Sequence, residues 1–299
     1  MKQLGQFLDN IDSDHTRRAY QTDLGEYISY LQDRKTEGAT EDAEAADVEQ
    51  FLANMSREGL AKSTRRRRLS AVRQFYDWLV ERGEASWNPA RASSVSLHDD
   101  SNVDASPRFL PKADLEKVVA APETSSTTGV RDRALVLVII YGALRRGELA
   151  ALDIGDIRPL ARHWVVDLPS RKSGRGGFVK VPSVVADAVQ QAVATYDSDQ
   201  GPLWQSFSNR NRGQRLSPDA LYKRIRHLGR AAGLDGLDIE TLRRSGLRLA
   251  AQSGARPDQI QAHARLQHPT SALRYFEAET KVSRLRNTAG DLLDLEVEG

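Results

Sequence analysis

The run from Ala134 to Leu144 constrains this chain more than any other stretch, because its eleven residues carry no charge and arginines bracket it on both sides. A membrane-spanning helix needs about 20 apolar residues, so this run is too short to cross a bilayer and reads as a buried core helix. A length of 299 residues suggests two ordinary domains, each large enough to bury a core of its own.

Charged residues make up 28% of the chain and hydrophobic ones 39%, the balance of a soluble globular protein. There is no cysteine, which excludes disulfides, thiol chemistry and a Cys-ligated metal, and fits a reducing cytosol. The segment Met1-Lys2-Gln3-Leu4-Gly5 lacks the apolar core of a signal peptide. A formal net charge of +2 does not announce a nucleic-acid partner; the distribution of charge says more than its sum.

The first half reads as amphipathic helix. From Thr16, a candidate N-cap, Tyr20, Leu24, Tyr27, Ile28 and Leu31 recur at helical spacing. An acidic segment follows at Glu41, Asp42, Glu44, Asp47 and Glu49, read as a loop and the exposed start of another helix. A further helix begins near Ser63 or Thr64 and puts Leu69, Val72, Tyr76 and Leu79 on one face. Its other face and first turn carry Lys62, Arg65, Arg66, Arg67, Arg68 and Arg73, with no acid among them. Arginines in a first turn oppose the helix dipole. A solvated charged face is the bland reading. Contact with phosphate is the preferred one, because a second basic stretch appears later in the chain.

Asn88-Pro89 closes this half, and the Ser-, Asp- and Asn-rich residues 92–107 have the composition of a linker. The expected division is a domain at 1–91, a linker at 92–108 and a second domain at 109–299. The second domain opens at Leu110-Pro111-Lys112, a helix start with Pro in its first turn. After the buried helix, residues 163–168 and 178–181 read as a β-hairpin whose tip, Ser170-Arg171-Lys172-Ser173-Gly174-Arg175-Gly176-Gly177, is basic and glycine-rich. Helices resume at Ser217-Pro218. The fold expected is therefore mainly α, a helical domain followed by an α+β domain with a small antiparallel sheet.

Transfer of a phosphodiester without a metal makes definite demands. The transition state carries about two negative charges on its non-bridging oxygens, which paired arginines neutralise well because their planar forks match phosphate. A nucleophile must attack, and a proton donor must serve the departing 5′ oxygen. The chain offers Gly142-Ala143-Leu144-Arg145-Arg146-Gly147-Glu148-Leu149, then Lys172 in the hairpin tip, Leu242-Arg243-Arg244, Leu266-Gln267-His268 and Leu273-Arg274-Tyr275. Each residue alone has a dull reading: Arg145 a helix C-cap, Lys172 and Arg243 exposed cations, His268 a capping or half-buried histidine, Tyr275 a core aromatic. Order and spacing together make the case.

With those residues in view, the chain resembles the tyrosine recombinase (phage integrase) family, in the compact two-domain form of the Xer-type recombinases, over nearly its whole length. His15-Thr16-Arg17-Arg18-Ala19-Tyr20 and residues 63–89 resemble the helical, SAM-like core-binding domain; residues 110–275 resemble the catalytic domain. The resemblance implies that Arg145 and Arg243 bind the scissile phosphate with His268, that Lys172 is the general acid, and that Tyr275 is the nucleophile forming a 3′-phosphotyrosyl link. It implies cleavage and rejoining of DNA with neither ATP nor metal, and no cofactor.

The chain departs from the pattern twice. Where the family has His-x-x-Arg, this sequence has Glu240-Thr241-Leu242-Arg243. The carboxylate is electrostatically unfavourable beside a phosphate. Glu240 is read either as a general base for the tyrosine or as a partner that orients Arg243 or His268; the remaining reading is an impaired or partner-dependent enzyme. From His268 to Tyr275 is seven residues, about two fewer than the usual family interval, and Gln267 replaces the family's glycine.

A second basic stretch carries Arg210, Arg212, Arg215, Lys223, Arg224, Arg226 and Arg230 against one acid, Asp219. With Thr16, Arg17, Arg18 and the arginines after Lys62, it is expected to grip double-stranded DNA. The resemblance implies a clamp around the duplex and a homo-tetramer on synapsed sites, alone or with a second recombinase or accessory protein, in the cytoplasm at the nucleoid and without a membrane. The apolar tail (Val282, Leu285, Leu292, Leu293, Leu295, Val297) either docks on a neighbouring subunit, as the resemblance implies, or packs on its own domain. The rival functions are a type IB topoisomerase and a DNA-binding protein that has lost cleavage.

Overall fold

A computed structural model describes residues 2–34, 40–97, 109–168 and 177–276. The chain forms two compact units, Met1–Ser106 and Pro107–Gly299.

The first unit is helical: α1 (Lys2–Asp9), α2 (Asp14–Arg34), α3 (Ala45–Arg57) and α4 (Lys62–Glu81), closed by a 3-10 turn at Pro89–Arg91. Every apolar residue expected on the inner face of α2 is buried, together with Phe51 and Met55 of α3 and Leu69, Val72, Phe75, Tyr76 and Leu79 of α4. Removing such side chains from water contributes roughly 1.5–3 kcal/mol each before the entropy of ordering is counted. Helix α2 starts two residues before Thr16. Ser13 takes the capping role, its Oγ accepting from the Thr16 amide at 3.4 Å and its carbonyl from the Arg17 amide at 2.8 Å. The expected acidic loop ends in a cap, where the Asp47 carboxylate accepts from the Glu44 amide at 2.8 Å. Val95 belongs to this core and Leu97 packs on it, so the first residues of the segment with linker composition are anchored to the helices.

In the second unit, α5 (Lys112–Ala120) begins with Pro111 as its N-cap, one position outside the first turn. Helix α6 (Thr127–Gly142) is capped by Ser126, whose Oγ accepts from the Gly129 amide at 3.1 Å. All residues from Ala134 to Ile140 are buried, as an apolar run on every face of a helix requires. After α7 (Arg146–Ala151) comes an antiparallel sheet in the order β1 (Ile157–Leu160), β2 (His163–Leu168), β3 (Gly177–Val181). Its register pairs Ile157 with Val166 and Val166 with Val179. The hairpin is the expected one, and β1 is an additional edge strand whose Pro159 is tolerated at an edge. The chain continues through α8 (Ser183–Val193), α9 (Pro218–Ala231), α10 (Ile239–Gln252), α11 (Pro257–Ala264) and α12 (Thr270–Leu273).

Helix α10 lies so close to α6 that a Cβ on Gly246 would come within 2.2 Å of the Ile140 carbonyl oxygen. Only glycine permits that approach, and it brings the middle of α10 against the C-terminal end of α6.

Candidate active site

At the end of α6 the backbone turns left-handed at Ala143 (φ 47°), and Leu144 drops into the core. Arg145 then caps the N-terminus of α7, so it begins a helix rather than closing one. Glu148, one turn on, accepts from the Arg145 amide at 2.9 Å and from its Nη1 at 3.0 Å, fixing the guanidinium.

Arg243 reaches the same place from α10. Asp238 caps that helix, its carboxylate accepting from the Thr241 amide at 2.6 Å. Arg243 is only 5% exposed; Nε donates to the Ala143 carbonyl at 2.8 Å and Nη2 to the Ala264 carbonyl at 3.1 Å. Its Nη1 donates to Glu240 Oε1 at 3.0 Å, and Arg244 Nε donates to the same oxygen at 2.9 Å. Glu240 is thus a shared acceptor for two arginines, the orienting arrangement rather than a contact with Tyr275 or His268.

A third guanidinium, which the motif reading did not single out, stands beside these two. Arg265 follows α11 in the left-handed conformation (φ 54°). Its Nη2 donates to the Ala143 carbonyl and to Glu148 Oε2, both at 2.8 Å, and Nη1 donates to the His263 carbonyl at 2.8 Å. Arg145 Nη2 donates in turn to the Arg265 carbonyl at 3.0 Å. Burial works to raise the Glu148 carboxyl, but the Arg145 amide and the charges of Arg265 and Arg145 outweigh it and hold the group down at about 2. Burial pulls Arg265 below its ordinary value, and repulsion from Arg145 and Arg243 adds to this against the attraction of Glu148. His263, whose Nε2 lies 2.8 Å from the Tyr141 carbonyl, is also held below the usual range, first by burial.

The left-handed residue corrects the reading of the histidine box. The sequence pattern puts Gln267 at the family's glycine, whereas the left-handed backbone belongs to Arg265. Counted from there, the box is Ala264-Arg265-Leu266, and Leu266 lies nine residues before Tyr275, which removes the shortened interval. Leu266 is half-buried and packs against the local core. His268 is exposed, and among the described residues no hydrogen bond or ion pair ties it to Arg145 or Arg243; its carbonyl accepts from the Ser271 amide at 3.0 Å, at the start of α12.

Tyr275 follows α12 and is 2% exposed, packed with Ala143, Leu247, Ile260 and Ala264. Its ring meets Phe109 edge-on at 6.2 Å, and its carbonyl accepts from Arg248 Nη1. Among the described residues its hydroxyl has no hydrogen bond to the arginines. The ring nevertheless shares one small core with Ala143 and Ala264, the residues whose carbonyls hold Arg243. Lys172 and the hairpin tip lie outside the described residues, as does the tail after Phe276.

The cations assigned to DNA divide sharply. Arg65 is buried on the core face of α4, and Arg73 donates to the carbonyls of Ala90 at 2.9 Å and Val95 at 3.3 Å. Arg67 and Arg68 turn to the fully buried Asp23 of α2, and Arg68 also pairs with Glu26. Burial raises the Asp23 carboxyl, against the pull of these arginines. Arg17 donates to the carbonyls of Leu8 at 3.1 Å and Ile11 at 2.7 Å and pairs with Asp14. In the second unit Arg215 ties down the Ala150 and Leu152 carbonyls, Arg224 pairs with buried Asp132, and Arg212 pairs with Asp197. Arg67, Arg68 and Arg224 serve buried carboxylates that require a cation, Arg73 and Arg215 tie down backbone carbonyls, and the Arg212 pair lies on the surface. Arg18, Arg66, Arg210 and Lys223 are exposed, and Thr16, Lys62 and Arg226 are partly so.

Comparison with known proteins agrees with this architecture. Residues 6–83 match the phage integrase N-terminal SAM-like domain, and residues 108–281 match the phage integrase family. A tyrosine recombinase XerC of Pelotomaculum thermopropionicum is 33% identical over 61% of this chain, which spans 58% of that relative's length. The XerC of Xylella fastidiosa is 32% identical over 74% of this chain and 71% of its own length. Among solved structures, the XerH site-specific recombinase bound to palindromic difH substrate superposes with a TM-score of 0.72 at 18% identity, covering 90% of this chain and 78% of its own. The Tn1549 transposon integrase in complex with transposon right end DNA gives 0.72 at 16% identity, covering 94% and 96%. These last two are likenesses of fold. Matched across both units and over more than half its length by the second domain alone, the chain belongs to the phage integrase family of tyrosine recombinases.

Proposed function

We propose that this chain is a site-specific recombinase that cuts and rejoins double-stranded DNA through Tyr275. One observation carries the reading: Arg145 and Arg243 come from separate helices to the Ala143 turn, and Tyr275 packs against that same turn.

The chemistry follows from the residues. Arg145 and Arg243 hold the non-bridging oxygens of a phosphodiester and neutralise the charge that grows on them. As the bond from the Tyr275 hydroxyl oxygen to phosphorus forms, the bond from phosphorus to the 5′ oxygen breaks. The tyrosine's proton passes to water, and Lys172 supplies a proton to the leaving oxygen. The 5′ hydroxyl of a partner strand reverses the step. Glu240 sets the rotamer of Arg243 and takes no proton. Since Tyr275 is buried in the free protein, DNA binding must draw the α12 segment outward before attack.

Exposed Arg18, Arg66, Arg210 and Lys223, with Lys62 and Arg226, supply the grip on phosphates, and the enzyme works in the cytoplasm at the nucleoid. No helix among the described residues is long and apolar enough to cross a membrane. A homo-tetramer on synapsed DNA, with or without a second recombinase or accessory protein, would use the apolar tail. An apolar groove of about 1190 Å³, walled by Leu115, Val119, Leu137, Ile140, Leu247 and Ile260, is a fitting acceptor for it.

The second reading, a DNA-binding member without cleavage, draws on Glu240 and Leu266 standing where the family has histidines. Detergent-stable protein–DNA adducts decide between the two. Joining of ends from two different duplexes separates recombination from topoisomerase-like relaxation. Deleting residues 291–299 should weaken tetramer formation on DNA, and unchanged assembly would remove the tail from that role.

A further inference from the structure

The position of the resembled His-x-x-Arg histidine carries Glu240 here, and in the register set by the left-handed Arg265 that of the second histidine carries Leu266, so the phosphate site has lost two donors and gained a carboxylate. Something else must restore the positive charge. Around the Ala143 turn stand four guanidiniums, those of Arg145, Arg243, Arg244 and Arg265, against the two carboxylates of Glu148 and Glu240, a formal excess of two positive charges. That excess matches the charge of about two on a phosphoryl transition state.

Arg265 is the unexplained member of the group. A left-handed backbone costs a residue with a Cβ about 1–2 kcal/mol, and glycine would be at ease there. The conformation instead carries a long cation whose Nη2 shares the Ala143 carbonyl with Arg243 Nε and the Glu148 carboxylate with Arg145. Its Nε is buried with no hydrogen-bond partner, an N–H donor left unused in a cluster of like charges. Crowded cations are a cost, and the Arg265 side chain is 19% exposed, so one anion seated among the three guanidiniums can reach it and relieve that cost.

We propose that Arg265 is a catalytic residue of this recombinase: it donates to a non-bridging oxygen of the scissile phosphate, alongside Arg145 and Arg243, in the role the family gives to histidine. The assignment rests on the recombinase reading above. Glu148 holds the guanidinium in place until the phosphate arrives.

The test uses the full-length protein and a duplex carrying the site that wild type labels covalently. Arg265→Gly suits the left-handed backbone, so the fold survives, and Arg265→Lys keeps the charge without the fork. On ordinary DNA, Arg265→Gly should form adducts about 100- to 1000-fold more slowly than wild type, the scale for loss of one transition-state donor. Arg265→Lys should fall between the two. A methylphosphonate at the scissile position removes the charge that Arg265 neutralises, so on that duplex the defect of Arg265→Gly should shrink to under about tenfold. Wild-type rates for Arg265→Gly on ordinary DNA would overturn the assignment and leave the recombinase reading intact. An equal defect on both duplexes would also overturn it, showing that Arg265 only supports the fold. If wild type labels no site in DNA from the source genome, so that no such duplex can be made, the recombinase reading sinks, and this inference with it.

Discussion

Glu240 and Arg243, one helical turn apart on α10, are joined by a hydrogen bond of 3.0 Å from Nη1 to Oε1. The same oxygen receives Arg244, and the carboxylate stays 41% exposed on the rim of the cluster. The two arginines occupy both lone pairs of that oxygen. Glu240→Gln keeps the accepting oxygen, so it should cut DNA within about threefold of wild type with an unchanged pH profile. Glu240→Ala frees both arginines and should lose about tenfold, the lower end of the roughly 1.5–3 kcal/mol of one charge-assisted bond. Single-turnover cleavage against pH checks this; a Gln variant as crippled as the Ala variant would restore the general base.

Glu148 ties stability to pH. Its carboxyl sits at about 2 in the folded protein and near 4.5 when unfolded, burial being outweighed by the surrounding amide and arginines. A depressed carboxyl contributes stability that is present above pH 4.5 and lost as pH falls towards 2. The amount is about 3 kcal/mol, since a tenfold change in proton affinity is worth about 1.4 kcal/mol. Urea midpoints from pH 6 down to pH 2.5 should therefore fall less steeply for Glu148→Gln than for wild type. Parallel curves would contradict the contribution.

Gly246 sets the distance between α10, which carries Arg243, and α6, whose end leads into Arg145. A methyl group there would meet the Ile140 carbonyl oxygen at 2.2 Å, and the helix backbone has no slack to give. Gly246→Ala should cost about 1–3 kcal/mol and reduce cleavage by moving Arg243, whereas Gly147→Ala, in open space, should do neither. Thermal melts and adduct rates for both variants test the comparison.

Arg66 and Arg67 are neighbours with opposite duties. Exposed Arg66 should lower DNA affinity on change to Ala, reduce the slope of log affinity against log salt by about one, and leave the melting temperature alone. Arg67→Ala deprives the fully buried Asp23 of a partner and should cost about 1–3 kcal/mol of stability. Fluorescence anisotropy at several salt concentrations, beside melts, separates the two effects.

The helices of the first unit were legible because one residue in every three or four is apolar across α2 and α4. Arg65 also obeys that spacing, four before Leu69 and seven before Val72, and it is buried for that reason. Composition counted it as a DNA contact when its periodicity placed it inward. Arg67, Arg68 and Arg224 could not be sorted by any local rule, since the carboxylates that claim them lie 44, 45 and 92 positions away. The histidine box misled for a related reason. His268 supplied the expected letter, but the backbone turn sits at Arg265, and a left-handed arginine leaves no mark in a sequence. Helix α8 and strand β1 were missed because Val184-Val185 reads as readily as strand and Pro159 interrupts its run.

The central claim is that Tyr275 becomes covalently joined to DNA. Sheared, nicked DNA from the source genome is incubated with wild type and with Tyr275→Phe, denatured in detergent, and the protein-bound DNA is sequenced. The account predicts adducts with wild type alone, attached at Tyr275 and concentrated at one recurring site. Equal DNA binding by both proteins with no adduct from either would contradict it.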